Sequence, residues 1–175
     1  MSKRPELFII LTVAVCFGFA GCGARRDNRL SYQMGERVAV GPLTYNVVET
    51  TWRSQLGDGF RLRFPQQRFL LVTVSVTNSG GKEISVPLLQ LENQNNETFQ
   101  ELDNGEGVDN WFGILRNITP AETQLGRLIF DVPLTSYRLR LTDGGTPGSE
   151  KYAWVEIPLR MDTDSNTETP IVPSK

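Results

Sequence analysis

The sequence predicts an all-β fold, a two-sheet antiparallel β-sandwich of about seven or eight strands. Two observations predict the sandwich. Apolar residues recur with period two in nearly every periodic stretch between residues 35 and 160, and Gly, Pro, Asn and Asp end those stretches. No convincing amphipathic helix occurs beyond a turn or two around residues 110–116. A β-barrel is the main structural alternative.

The N-terminal segment has the features of an export signal. Lys3 and Arg4 give it a positive start, and residues 7–20 form an uncharged, mostly apolar run of 14 residues. This run is short for a permanent anchor, because a helix that spans a bilayer needs about 20 apolar residues. A positive start, a short apolar stretch and small residues after it are typical of a signal peptide. We therefore predict that residues 1–21 are removed on export.

The residues at the predicted cleavage point indicate lipid attachment. Phe19-Ala20-Gly21-Cys22 resembles the lipobox of bacterial lipoproteins, with phenylalanine in place of the usual leucine. The resemblance implies that the Cys22 thiol takes a diacylglyceryl group, and two or three acyl chains make such anchoring stable. Cys16 lies inside the apolar run and is interpreted as part of the signal. The alternatives are an ordinary exported protein cut near Gly21, or a single-pass anchor.

The mature chain divides into three parts. Residues 22–34 are polar and aperiodic, which predicts a lipidated tether; its arginines either contact anionic headgroups or belong to a solvated linker. Residues 35–160 carry the predicted sandwich. Residues 161–175 lack periodicity and contain two prolines, so they are predicted to be a disordered tail.

Composition restricts the chemistry that this domain can perform. The chain has no histidine, which excludes Ser-His-Asp and Cys-His catalysis and imidazole-based zinc sites. With 18 basic against 20 acidic residues, it lacks the positive excess that general nucleic-acid binding requires. Paired carboxylates could still cleave glycosidic bonds, but a small isolated sandwich seldom encloses the necessary cleft. We expect neither an enzyme nor a nucleic-acid-binding protein, and no metal or cofactor.

Several stretches show the alternation that is typical of half-buried strands. The aromatic residues Tyr45, Phe130 and Tyr137 fall on the apolar face of such stretches and are predicted to lie in the core or at its edge. Asn78 opens an Asn-Ser-Gly-Gly turn that ends the clearest strand. The predicted strands occupy residues 37–40 and 43–51 on either side of a Gly-Pro corner, residues 70–77, residues 127–132, residues 137–142 and residues 153–159.

Three segments, taken in order, resemble one bacterial family. They are residues 35–45, residues 69–86 with the Asn78 turn, and residues 118–133 with Pro120 and the Asp131-Val132-Pro133 ending. They resemble a telokin-like, immunoglobulin-fold domain of unknown function that is common in lipoproteins and secreted proteins, in the fold group of the immunoprotective extracellular protein. The resemblance implies the fold and brings no catalytic residue. Ala121 replaces the glycine that usually follows Pro120, so the local turn is where a departure from the family is expected.

One long loop is the main candidate for a binding site. Residues 54–67 form a connection that is long for a sandwich, and loops on a rigid scaffold often carry function. Arginine side chains there can form bidentate bonds to carboxylates or phosphates. The sequence therefore predicts a site for an anionic ligand or partner; the alternative is a solvated hairpin tip whose arginines pair with nearby acids. The candidate residues are Trp52, Phe60, Arg61, Arg63 and Arg68.

A second loop concentrates acidic residues. Residues 101–109 contain Glu101, Asp103, Glu106 and Asp109, and oxygen ligands of this kind suit calcium. Their spacing does not match an EF-hand loop, and the alternative is an ordinary acidic surface turn. The neighbouring rings of Trp111 and Phe112 are expected to be buried. The alternative is that they are exposed and bind a ligand.

Together these observations predict a non-catalytic, membrane-anchored lipoprotein of the bacterial cell envelope. Its immunoglobulin-like domain is expected to bind another envelope or extracellular protein. Gly23 follows Cys22 where an aspartate would resemble an inner-membrane retention signal, so the outer membrane is favoured in a cell with two membranes. The alternatives are a structural or stress-related lipoprotein that only spaces or shields, and a carbohydrate-binding module.

Overall fold

The computed structural model describes residues 30–146 and 148–160. These residues form eleven β-strands and no helix. The strands are β1 (Ser31–Gln33), β2 (Arg37–Val40), β3 (Leu43–Arg53), β4 (Phe69–Asn78), β5 (Ile84–Ser85), β6 (Gln90–Asn93), β7 (Thr98–Gln100), β8 (Asn117–Ile118), β9 (Thr123–Asp131), β10 (Tyr137–Thr142) and β11 (Tyr152–Ile157).

The strands form two large sheets and one small one. A five-stranded sheet has the order β1-β11-β10-β6-β7, a four-stranded sheet has the order β2-β3-β4-β9, and β5 pairs with β8. All pairs are antiparallel except β1 with β11. The two large sheets share one core, which confirms the predicted antiparallel sandwich.

The main core is built from the period-two pattern. In β4, Leu70, Val72, Val74 and Val76 are completely buried, while the residues that follow Val72 and Val74 are only half-buried. A strand places successive side chains on opposite faces, so this alternation turns one apolar face towards the other sheet. The core prediction for Tyr45, Phe130 and Tyr137 is confirmed, since each is at most 3% exposed.

The first described strand lies within the segment that was predicted to be a tether. The prediction kept residues 22–34 in the tether, but Ser31–Gln33 form β1, and Tyr32 is buried in the main core. The partner of β1 is β11, more than 120 residues away in the chain, and the two strands run parallel. A three-residue strand is too short to show periodicity, so only its distant partner defines it.

The predicted turn of helix around residues 110–116 is also absent from the described structure. Trp111 instead forms an isolated β-bridge with Arg127 of β9, and the Phe112 N–H donates to the Arg127 carbonyl at 3.0 Å. This segment is extended because its backbone bonds to the outer edge of β9 rather than to itself. Burial was expected for both rings; Phe112 is buried, and Trp111 is half-buried.

The four-stranded sheet is covered on part of its second face as well. Period two places Leu71 and Ile129 on the face away from the main core, yet both are buried. They form a second apolar cluster with Leu56 and Phe69, and the half-buried Leu102, Val108 and Trp111 pack against it. The loops of residues 54–68 and 101–112 therefore fold over the outer face of this sheet.

A buried ion pair fixes the second of these loops. The Arg116 guanidinium donates to the Glu101 carboxylate, and both side chains are completely buried. The same guanidinium bonds to the carbonyls of Gly113 and Pro87, while the Leu89 N–H donates to Glu101 at 3.2 Å. Burial raises the pKa of Glu101, and the bond and charge of Arg116 act in the opposite direction. The pair joins the two ends of residues 101–116 to the segment before β6.

We predict that Arg116→Met lowers the free energy of unfolding by about 3–5 kcal/mol, because it leaves the Glu101 carboxylate buried without a partner. Replacing both members, in Glu101→Leu/Arg116→Met, should recover most of that loss. Urea unfolding of the mature chain carrying Cys22→Ser, which removes the predicted lipid, gives the three free energies.

The matched control is Arg138→Met, which removes the half-exposed pair of Arg138 with Glu92 and should cost less than about 1 kcal/mol. Equal losses in Arg116→Met and Arg138→Met, or a double variant as unstable as the single one, would contradict the assigned role.

The turn before β9 keeps a glycine-like conformation in spite of its alanine. Ala121 has a φ of 64°, and its N–H donates to the Asn78 carbonyl at 2.9 Å. The side chain of Asn78 is itself buried and donates to the carbonyls of Lys82 and Ile118. Left-handed backbone costs an L-residue with a Cβ roughly 1–2 kcal/mol. Ala121 therefore holds a backbone conformation that suits glycine, at the cost of local strain.

We predict that Ala121→Gly raises the free energy of unfolding by about 1 kcal/mol, because glycine adopts a positive φ without the Cβ clash. Thermal and urea unfolding measure the change. The control is Ala39→Gly in the strand β2, where the same substitution should destabilise by roughly 0.5–1 kcal/mol. Destabilisation by both substitutions would refute the assignment of strain to Ala121.

Candidate functional site

The loop between β3 and β4 is a fixed hairpin. Leu56 and Arg63 exchange two backbone hydrogen bonds of 2.9 Å, and the Arg61 N–H closes the turn on the Asp58 carbonyl. Leu56 is buried in the second apolar cluster. At the far end of the loop, the backbone N–H groups of residues 66 and 67 donate to the Asp131 carboxylate at 2.6 and 2.8 Å. The hairpin is therefore held at both ends against the outer face of the four-stranded sheet.

The loop of residues 101–112 lies directly beside this hairpin. A Cβ placed on Gly107, whose φ is +79°, would lie 2.4 Å from the Gly57 nitrogen, so the two backbones touch where only glycine fits. The Leu102 N–H donates to the Ile129 carbonyl at 2.8 Å, which ties the loop to β9. The two loops thus form walls above the sheet.

A groove with a volume of about 410 Å³ runs between these walls, and we call it the arginine groove. Arg53 ends β3 opposite Phe69, and Arg127 lies on β9 opposite Thr73, so both point to the outer face of the sheet. Arg68 precedes β4. The described lining comprises Trp52, Arg53, Ser54, Gln55, Leu56, Gly57, Arg68, Leu71, Gly107, Val108, Asp109 and Arg127.

The three arginines of the groove have no carboxylate partner among the described residues. The ion pairs of this part of the chain join Arg116 to Glu101, Arg138 to Glu92 and Arg140 to Glu150. Asp109 borders the groove without forming a pair there. The Nε of Arg68 is buried and has no hydrogen-bond acceptor, whereas buried polar atoms are normally bonded. The groove therefore offers several guanidinium donors to an anion.

The structure brings together only part of the predicted site. Trp52 and Arg68 border the arginine groove, and Trp52 also packs on the main core with its ring 6.4 Å from that of Tyr137. Arg63 does not line the groove: its guanidinium donates to the Asn104 carbonyl at 2.8 Å and lies over the Phe69 ring. Arg61 is exposed at the hairpin tip, as is Phe60.

Sequence reasoning missed Arg53 and Arg127 as site residues. Both occupy outward positions of strands, and outward polar residues are ordinary on a sandwich. A signal was present in the period-two pattern, which puts both side chains on the same face as Leu71. The sequence alone does not show that neither arginine has a carboxylate partner among the described residues.

The acidic loop does not form the cation site considered from the sequence. Glu101 faces the interior and is paired with Arg116, so it cannot serve as a surface ligand. Within residues 30–146 and 148–160, no three acidic, histidine or cysteine side chains come close enough to hold a metal ion. The calcium site considered from the sequence therefore lacks Glu101, the first of its four acidic residues.

The outer face of the five-stranded sheet differs from the groove in its electrostatics. Arg138 is paired with Glu92 and lies over the Trp154 ring at 4.4 Å. In the next row, Arg140 is paired with Glu150 and lies over the Tyr152 ring at 4.8 Å. Each guanidinium on this face already has a carboxylate and an aromatic partner, so its donors are largely satisfied.

The predicted signal peptide, Cys22 and the predicted C-terminal tail lie outside the described residues. Of the residues that the structure does describe, none belongs to a helix long and apolar enough to cross a membrane.

Solved structures of low sequence identity share the fold. The yjhA protein from Bacillus subtilis aligns with a TM-score of 0.55 at 15% identity, covering 72% of this chain and 98% of its own. A predicted lipoprotein of the same organism, ycdA, has a TM-score of 0.55 at 18% identity and covers 70% of this chain, but only 38% of ycdA is matched. The secreted protein MPT63 from Mycobacterium tuberculosis gives 0.52 at 16% identity, covering 74% and 98% of the two chains.

No curated protein matches the chain. The sequence profile of the domain of unknown function DUF4352 matches residues 32–153, a range that runs from β1 into β11. The predicted resemblance to a bacterial domain of unknown function is thereby confirmed. The chain belongs to the family of the domain of unknown function DUF4352.

Proposed function

We propose that this protein is a non-catalytic, lipid-anchored protein of the bacterial envelope that binds an acidic segment of another envelope or extracellular protein in the arginine groove. The observation that carries the proposal is the set of three groove arginines, Arg53, Arg68 and Arg127, which have no carboxylate partner among the described residues. Carboxylates match a guanidinium with two parallel hydrogen bonds, which gives both energy and orientation.

The dimensions of the groove favour an extended segment. A volume of about 410 Å³ accommodates a few side chains rather than a folded domain. Leu71 and Val108 give the groove an apolar floor and wall, while the arginines stand around it. A peptide with two or three acidic residues beside one apolar residue fits this arrangement.

The lining of the groove supports binding without catalysis. Asp109 is the one acidic residue in the described lining of the groove, and the chain has no histidine that could act as a base near neutral pH. Arginine stays protonated and so contributes donors rather than proton transfer. Holding an anionic group is the chemistry that these side chains can perform.

The N-terminal pattern supports an envelope location with Cys22 as the lipidated residue. The names of two proteins that share the fold, a predicted lipoprotein and a secreted protein, point to the same compartment. The proposed arrangement is a sandwich outside the cytoplasm, tethered to a membrane and, in a cell with two membranes, to the outer one.

We predict that Arg53→Glu/Arg127→Glu weakens binding of an Asp/Glu-rich peptide by at least about tenfold, or ~1.4 kcal/mol, because it reverses two of the three groove charges. Isothermal titration with the mature Cys22→Ser chain measures the dissociation constant. The same peptide with Asn and Gln in place of Asp and Glu should bind more weakly to the wild type.

The matched control is Arg37→Glu/Lys151→Glu, which changes the net charge equally at exposed positions away from the groove. The same loss in both double variants would attribute binding to net charge and refute the groove. Retention of the wild type on peptidoglycan with no peptide binding would favour the carbohydrate-binding alternative, and no binding to either would favour a spacer.

We predict that Cys22→Ala abolishes incorporation of labelled palmitate and moves the protein out of the membrane fraction, since this thiol is the proposed attachment point. Cys16→Ala should leave both the label and the fractionation unchanged, because Cys16 lies in the segment that is removed. Labelled palmitate in the Cys22→Ala protein would overturn the lipoprotein assignment.

A further inference from the structure

The chain leaves the sandwich at the end where the arginine groove lies. Ile157, the last residue of β11, is paired with Tyr137, the first residue of β10. The centroid of the Tyr137 ring lies 6.4 Å from that of Trp52, which lines the groove. The residue after Trp52 is Arg53, which ends β3 and points to the outer face of the four-stranded sheet. The chain that follows Ile157 therefore starts beside the groove, on the opposite sheet.

The residues that come next carry the charge that suits the groove. Residues 161–175, which we call the acidic tail, contain Asp162, Asp164 and Glu168 and a single lysine. The described lining of the groove has three arginines against one aspartate, Asp109. Because a carboxylate can bond to a guanidinium with two parallel hydrogen bonds, the tail supplies the anions that these arginines do not find within the described residues.

The outer face of the five-stranded sheet, from which the tail departs, is a poorer site for the same carboxylates. Arg138 on that face is already paired with Glu92. Its neighbour Arg140 is paired with Glu150. Glu156 lies on the same face, opposite Arg138 and next to the end of β11, so it would repel an acidic segment. Charge complementarity therefore directs the tail away from this face and towards the groove.

The tail is long enough to pass round the end of the sandwich. Asp164 follows Ile157 by seven residues, which reach at most about 25 Å when fully extended. Glu168 follows Ile157 by eleven residues, which reach at most about 40 Å. Packed sheets lie about 10 Å apart, so both carboxylates can arrive at the outer face of the four-stranded sheet.

The order of residues in the tail also matches the groove. An extended chain places alternate side chains on one side, so Asp162 and Asp164 would face the arginines together. The apolar residues 171 and 172 follow these acids. They suit Leu71 and Val108, which give the groove its apolar floor and wall. The tail thus combines acidic and apolar residues in the way that favours binding there.

We infer that the acidic tail occupies the arginine groove of its own chain and competes there with the acidic segment of a partner. The competition rests on the proposed function, whereas the contact between tail and groove does not require a partner. Attachment to the same chain gives the tail a local concentration on the order of millimolar. A partner then binds only the fraction of molecules whose groove is free, and its apparent affinity falls by that fraction.

The first experiment titrates a synthetic peptide of residues 161–175 into the mature Cys22→Ser chain. It compares the wild-type tail with Asp162→Asn/Asp164→Asn/Glu168→Gln, which we call the neutral-tail chain. We expect the neutral-tail chain to bind the peptide at least about fivefold more tightly, because its own tail no longer occupies the groove. Isothermal titration gives the two dissociation constants.

The matched control is Glu36→Gln/Glu83→Gln/Glu97→Gln, which removes three negative charges at positions outside the described lining of the groove. It should bind the peptide with the affinity of the wild-type tail. Adding Arg53→Glu/Arg127→Glu to the neutral-tail chain should weaken binding by about tenfold or more, because the tail and the peptide use the same arginines.

The second experiment locates the tail by nuclear magnetic resonance. In the mature Cys22→Ser chain, Ser165→Cys supplies a single thiol for a nitroxide spin label between the second and third acids of the tail. The label should broaden the amide signals of residues 54–57 and 107–109, which line or adjoin the groove. Reversing the charges of Arg53 and Arg127 should restore those signals.

Equal affinity of the wild-type and neutral-tail chains would overturn the inference, as would an equal gain in the control variant. Broadening on an isotope-labelled chain that is mixed with a separate spin-labelled chain would assign the tail to a second copy instead. The two proposals fail separately. An Asp/Glu-rich partner peptide that binds both chains equally would refute occupancy by the tail alone, whereas its failure to bind the neutral-tail chain, with the broadening present, would refute the proposed function alone.

Discussion

The buried ion pair of Arg116 with Glu101 is the contact on which the shape of the outer face depends. The guanidinium of Arg116, the residue before β8, bonds to the carboxylate of Glu101, the residue after β7, and to the carbonyl of Pro87 before β6. Two charges removed from water are costly, and such a pair gains little net stability over apolar residues of similar size. Its effect here is positional: it fixes both ends of residues 101–116, so that the segment between them must cross the face of the four-stranded sheet.

That crossing converts an open sheet face into a lined groove. Leu102 and Phe112 bond to the edge of β9, and the backbone at Gly107 meets the hairpin at Gly57. The apolar side chains beneath the two loops close over Leu71 and Ile129 and leave Arg53, Arg68 and Arg127 around an opening. The opposite sheet has arginines in similar strand positions, but Glu92 and Glu150 neutralise them. Both faces carry guanidinium groups. They differ in whether those groups have carboxylate partners among the described residues.

The strands of the main core could be predicted because their pattern is local. Val72, Val74 and Val76 alternate with the polar residues at positions 73, 75 and 77, and that spacing alone turns them to one face. Ile129 looks like an outward residue by the same rule and is buried only because a distant loop covers it. β1 and the role of Glu101 were missed for the same reason, since each depends on a partner remote in sequence. The candidate loop was identified by composition, but composition could not separate Arg63, which is bonded within the fold, from Arg68, which borders the groove.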